Sequence, residues 1–175
     1  FRFAAVVGYI FLGFVMEDPP YYIMARIDIT GGSTGWHRAR LIWSSMQHLG
    51  EWWLWGTDYP RHWMPTGVSW SPDHTDITNQ YIKMGVIGGL PLTVIYIATL
   101  WIAFMFIGKT LKHELSLSKS QLQLLWGAGA SLFAITITGL SIAFFDQSAF
   151  FLYMILGISG SLFGTEKKHV AITAQ

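Results

Sequence analysis

Cysteine is absent from the 175 residues, which removes disulfides, thiolate metal sites and cysteine nucleophiles from this segment. Charge is scarce too. Asp, Glu, Lys and Arg make up 12% of the chain, about half of the ~25% usual for a soluble domain. A net charge of +1 is too small to suggest a nucleic-acid partner. There is no Asp-x-Asp pair and no close histidine cluster, so these motifs offer no support for a metal site or cofactor. Repeats and low-complexity stretches are also missing. The chain opens Phe1-Arg2-Phe3, and its first apolar run reaches only to Met16. It has neither the basic start nor the small-residue cleavage site of a secretory signal. Residues 3–16 therefore read as the tail of a truncated transmembrane helix, in a segment of a larger polytopic protein.

What is present is hydrophobicity, at 52% of residues, and it is unevenly placed. No Asp, Glu, Lys or Arg occurs from Met84 to Ile107 or from Leu122 to Phe145. Uncharged runs of this length span a ~30 Å hydrocarbon core. As one helix, residues 122–163 would reach roughly 63 Å at ~1.5 Å per residue, so they must break, and Phe145-Asp146-Gln147-Ser148 is the natural place. The expected architecture is all-α: a polytopic transmembrane helical bundle with an external loop subdomain. Its parts are a truncated span at 1–16, a loop at 17–80, spans at 84–107, 122–144 and 148–164, a connector at 108–121 and a tail at 165–175. Lys109, Lys112 and Lys119 crowd the connector and Lys167 and Lys168 the tail, which makes both cytoplasmic. The loop, net acidic and free of lysine, then lies outside.

Within the loop, Pro19-Pro20 ends the first span, and Gly31-Gly32-Ser33-Thr34-Gly35 is a joint. Residues 36–51 carry a helical period, with Ala39, Ile42, Trp43, Met46 and Leu49 on one face and His37, Arg40, Ser44, Gln47, His48 and Glu51 on the other. This predicts an amphipathic helix lying on the bilayer or against the bundle. Trp52, Trp53, Trp55, Trp63 and Trp70 follow; they suit a headgroup belt or stacking on sugar rings.

The chemistry-bearing residues are His74, eleven residues before Gly85, and the loop arginines Arg38, Arg40 and Arg61. An imidazole at the lip of a membrane helix, facing cations, suits chemistry on an anionic substrate. His74 through Gly85-Val86-Ile87-Gly88 resembles the H-x10-G signature of the bacterial O-antigen ligase and O-antigen polymerase superfamily. Arg38-Ala39-Arg40-Leu41-Ile42-Trp43 resembles its R-x3-L motif, with Ile42 in the leucine place. Thr75 stands where an asparagine commonly follows the histidine, and the doubled arginine leaves open whether Arg38 or Arg40 takes the family's role.

The resemblance implies a GT-C-like, metal-independent, inverting transfer of a glycan from undecaprenyl pyrophosphate to an acceptor hydroxyl, on a glycan, on lipid A-core or on a protein. The site would be the external face of the bacterial inner membrane. His74 would take the acceptor's proton, with Asp73 or Asp76 orienting its ring. Arg38, Arg40 or Arg61 would hold the leaving pyrophosphate, so imidazole and guanidinium groups should converge. Gly85 and Gly88 serve close packing or a broken first turn near Pro91. The rival classes are a polysaccharide transporter or flippase and a non-catalytic scaffold. A transporter would place ionisable groups inside the spans, and 84–107 and 122–145 hold none.

Overall fold

The computed structural model describes residues 35–112 and 118–173, with side chains as far as Ser161 in the last helix. The span expected at 3–16, along with Glu17, Asp18 and Arg26, lies outside the described residues. The elements are α1 (Gly35–Gln47), α2 (Leu49–Trp52), a 3₁₀ turn (Pro60–Trp63), α3 (Gln80–Lys112), α4 (Lys119–Thr138) and α5 (Asp146–Thr173). The class is all-α, as expected: among the described residues extended pairing is limited to an isolated bridge between Val68 and Ser71. The chain forms two compact units, one containing residues 35–50 and 59–76, the other 51–58 and everything from Ile77 onward.

In the first unit α1 packs on the 3₁₀ turn. The expected stripe is not the face it buries. Ala39, Leu41, Ser44 and Ser45 point inward, whereas Trp43, Met46 and Leu49 are exposed. One hydroxyl explains the rotation. Ser44 Oγ donates to the carbonyl of Trp63 at 2.7 Å, and Pro60, Trp63 and Met64 fill the space beneath. Serine is small enough to let the turn approach while its hydroxyl satisfies a buried carbonyl.

The second unit is built on α3, α4 and α5, each packed on the other two. Leu100, Ala103 and Ile107 of α3 meet Leu132 of α4, Phe144, and Leu152 and Ile155 of α5 in one apolar core. Near its start α3 is broken, because Gly88 and Gly89 leave helical geometry and Gly89 takes φ 70°. The break strips Val86 O and Leu90 N of helical partners. Thr57 N donates to Val86 O at 2.8 Å, and Leu90 N donates to Trp53 O at 2.8 Å. Residues 52–57 thus lie along the first part of α3, and the Trp52 ring covers Gly85 where any β-carbon would collide. Pro91, without an N–H, falls in the first turn of the resumed helix, where none is needed.

Two boundaries differ from the sequence expectation. The span expected to run to residue 144 ends at Thr138, and residues 139–145 are non-helical. The cause lies at the head of α3. Gln80 N donates to Gly139 O at 2.8 Å, and Gln80 Oε1 accepts from Phe144 N at 2.7 Å. Asn79 Nδ2 donates to Leu140 O at 2.8 Å, while Asn79 Oδ1 caps α3 by accepting from Tyr81 N and Ile82 N. Lys83 Nζ donates to Phe144 O at 2.7 Å, and the Tyr81 hydroxyl donates to Thr136 O at 2.8 Å. These side chains take up Leu140 O and both backbone groups of Phe144, while the amides of residues 139–142 keep turn bonds to Ile135, Ile137 and Thr138 carbonyls. The last helix starts at Asp146, near the expected break, but runs to Thr173 through residues expected as a tail. Glu166, Lys167 and Lys168 are good helix formers, and no proline interrupts them.

Removing Oε1 from Gln80 strands the buried Phe144 N–H, which costs about 1–3 kcal/mol. Gln80→Ala is therefore expected to lower the thermal unfolding midpoint clearly, compared with Thr99→Ala, which loses only an exposed bond back to Ile95 O. Equal midpoints for the two variants, measured in the same detergent, would contradict this.

Candidate functional site

His74 lies in the first unit, on a loop that folds back on itself. Arg61 N donates to Asp73 O at 3.0 Å and Val68 N to His74 O at 3.4 Å. Thr75 Oγ1, buried, donates to Thr66 O at 2.7 Å. The loop is tied to α1 through His37 Nε2, which donates to Asp76 O at 3.1 Å. Because a carbonyl can only accept, that nitrogen of His37 carries its proton. His37, read from sequence as a surface residue, is thus a strut.

The His74 ring is held by Ser71, whose Oγ lies 2.8 Å from Nδ1. The same oxygen accepts from Asp73 N at 3.3 Å. Trp70 leans on the ring at 5.0 Å between centroids and is itself 72% exposed. Among the described residues Nε2 has no hydrogen-bond partner. Neither Asp73 nor Asp76 bonds the ring through its carboxylate, so the orienting role assigned to them from sequence belongs to Ser71. A serine three residues before the histidine reaches it through a local turn, a shorter path than either carboxylate has.

The arginines do not converge on His74 by themselves. Among the described residues no hydrogen bond or ion pair joins His74 to Arg38, Arg40 or Arg61. Nearer acceptors hold two of them. Arg61 Nη1 donates to Met64 O at 2.8 Å and Nη2 to Pro65 O at 3.4 Å, and its stem crosses Gly67, where a β-carbon would come within 2.6 Å of Nε. Arg61 thus pins the loop through these two carbonyls. Arg40 is exposed, with its guanidinium 5.3 Å from the centre of the Trp36 ring. Arg38 differs from both. Its Nε is buried and finds no acceptor, an arrangement that costs free energy unless a ligand supplies one.

Gly85 and Gly88 belong to the second unit and act there through packing and the helix break. Elsewhere in the first unit the His48 and His62 rings meet edge-on at 4.9 Å, and His48 stacks on Trp63 at 5.9 Å. His48 Nδ1 donates to Ser44 O at 2.8 Å, which leaves Nε2 of the neutral ring as a lone pair. No family model, curated protein or solved structure matches the chain.

If Ser71 alone sets the ring, Ser71→Ala shifts the His74 ¹⁵N imidazole resonances and broadens them, whereas Asp73→Asn and Asp76→Asn leave them in place. A response to either asparagine variant as large as that to Ser71→Ala would refute the assignment.

Proposed function

We propose that the chain is part of a multi-pass inner-membrane transferase or polymerase that moves an undecaprenyl-pyrophosphate-linked glycan onto an acceptor hydroxyl at the external face. The observation that carries the reading is the His74 imidazole, tethered at Nδ1, unbonded at Nε2, and set in the H-x10-G sequence. With Nδ1–H donating to Ser71 Oγ, the Nε2 lone pair is the base. The acceptor oxygen bonds to the anomeric carbon, and its proton passes to Nε2. The bond from that carbon to the pyrophosphate oxygen breaks, and the pyrophosphate leaves with the electron pair. Arg38, with an unmet donor, and Arg40, exposed beside it in sequence, are the cations for that charge; Arg61 is not among them.

A membrane setting is supported by α3, the one described helix long and apolar enough to cross a bilayer. Only 17% of its most apolar window is buried in the protein. A core helix of a soluble domain would be mostly covered. Leu124, Phe133 and Phe150 of α4 and α5 are likewise more than half exposed, which suits lipid rather than water. The outward Trp43 and Met46 of α1 suit an interfacial helix.

The test supplies purified full-length protein with a lipid-linked oligosaccharide and follows chain lengthening or transfer. His74→Ala is expected to lower turnover by about 10²–10⁴-fold while membrane insertion is kept. Arg38→Ala should cost about 10²–10³-fold, and Arg61→Lys much less. Turnover unchanged in His74→Ala would end the transferase reading and leave a transporter or scaffold.

A further inference from the structure

A groove runs along the outside of the helical unit between α4 and α5, with a volume of about 1220 Å³. That exceeds the ~300–1,000 Å³ of ordinary small-molecule pockets. Its floor is small on the α4 side, where Gly127, Ala128, Ser131 and Ala134 line it, and bulky on the α5 side, where Phe151 and Ile158 do. From Ser120 to Thr138 it follows α4 for about 27 Å at ~1.5 Å per residue, close to the thickness of a hydrocarbon core.

The two ends differ in charge. Thr110, Ser120, Gln121 and Gln123 line one end. Lys109 and Lys112 close α3 beside Thr110, and Lys119 opens α4 beside Ser120. All three lysines are exposed, and Glu114 is the single acid in the connector between them. Donors remain there. Gln121 spends Oε1 on Ser118 N, and among the described residues its side-chain amide N–H groups and the Ser120 hydroxyl have no hydrogen-bond partner. The other end, at Thr138, Phe144 and Ser148, has the acid Asp146 and one cation, Lys83, whose Nζ already donates to Phe144 O.

We infer that this groove seats an anionic diacyl phospholipid, with its tails against α4 and α5 and its phosphate at the Thr110–Gln123 end, where Lys109, Lys112 and Lys119 flank the lining residues. Charge complementarity selects this occupant. An apolar helix would gain nothing from three ammonium groups that make no ion pair among the described residues, and a zwitterionic lipid would gain little. Basic clusters at the cytoplasmic end of membrane helices attract anionic headgroups in this way. The inference rests on the membrane part of the proposed function and not on its transfer chemistry.

The full chain in mild detergent is equilibrated with equimolar dioleoyl phosphatidylglycerol and dioleoyl phosphatidylcholine, and its adducts are read by native mass spectrometry. The expected result is one retained phosphatidylglycerol, favoured about tenfold. The triple variant K109Q/K112Q/K119Q should bring the two lipids near parity. Gly127→Phe fills the groove from a position where a β-carbon meets nothing within 4 Å, so it should fold and retain less of both lipids. Equal adducts in the unaltered chain, an undiminished preference in the lysine variant, or a dimer mass without lipid would overturn the inference. Resistance of the chain to alkaline carbonate extraction reads the membrane assignment separately: its absence sinks both ideas, whereas retained insertion without lipid preference sinks only this one. Loss of glycan transfer alone touches neither.

Discussion

The helical unit depends on how the head of α3 treats the backbone of residues 139–144. That segment has left its helix, and Phe144 is carried into the core. Its amides and carbonyls need partners wherever water is scarce, because an unmet backbone group in an apolar setting costs several kcal/mol. The amides of residues 139–142 turn back to α4 carbonyls, and Asn79, Gln80 and Lys83 supply Leu140 O and both backbone groups of Phe144 from a single helical turn. Each does what an apolar residue could not, and Asn79 also caps the helix that presents the other two. A chain lacking this turn would have to extend α4 through Phe144 or leave the groups bare. In either case α5 would lose its starting angle.

The loop unit uses the same economy with different chemistry. Backbone carbonyls hold Arg61, His37 and His48, and a serine hydroxyl holds His74. The consequence is a division among cations that look equivalent in sequence. Arg61 is consumed by the loop, Arg40 rests on an indole, and Arg38 retains a buried donor without an acceptor. An anionic substrate would complete Arg38 and find the unbonded nitrogen of His74 in the same unit. The lipid groove of the second unit would be an independent contact with the bilayer, at the end where lysine takes over from arginine.

Much of this was legible in the residues. Uncharged apolar runs marked α3 and α4, and the break near Asp146 followed from length alone. Gly88 and Gly89 before Pro91 announced an interrupted helix. The misses have physical causes. Periodicity ranks residues by hydrophobicity, so it set Trp43 and Met46 inward and Ser44 outward; one hydroxyl bonded to Trp63 O reversed the face. Hydropathy does not distinguish residues 139–144 from a helix, because the polar groups that unwind them sit about 60 residues away at Asn79, Gln80 and Lys83. Ser71 escaped notice because carboxylates are the expected partners of an imidazole, although spacing alone would have singled it out.

The central claim is that side chains at the head of α3 take over the hydrogen bonds at the buried Phe144 end of an unwound segment. Amide hydrogen exchange at Phe144 measures it most directly. The account predicts protection comparable to that of amides in the middle of α4, since Phe144 N donates to Gln80 Oε1. Exchange at the rate of an open loop would contradict it.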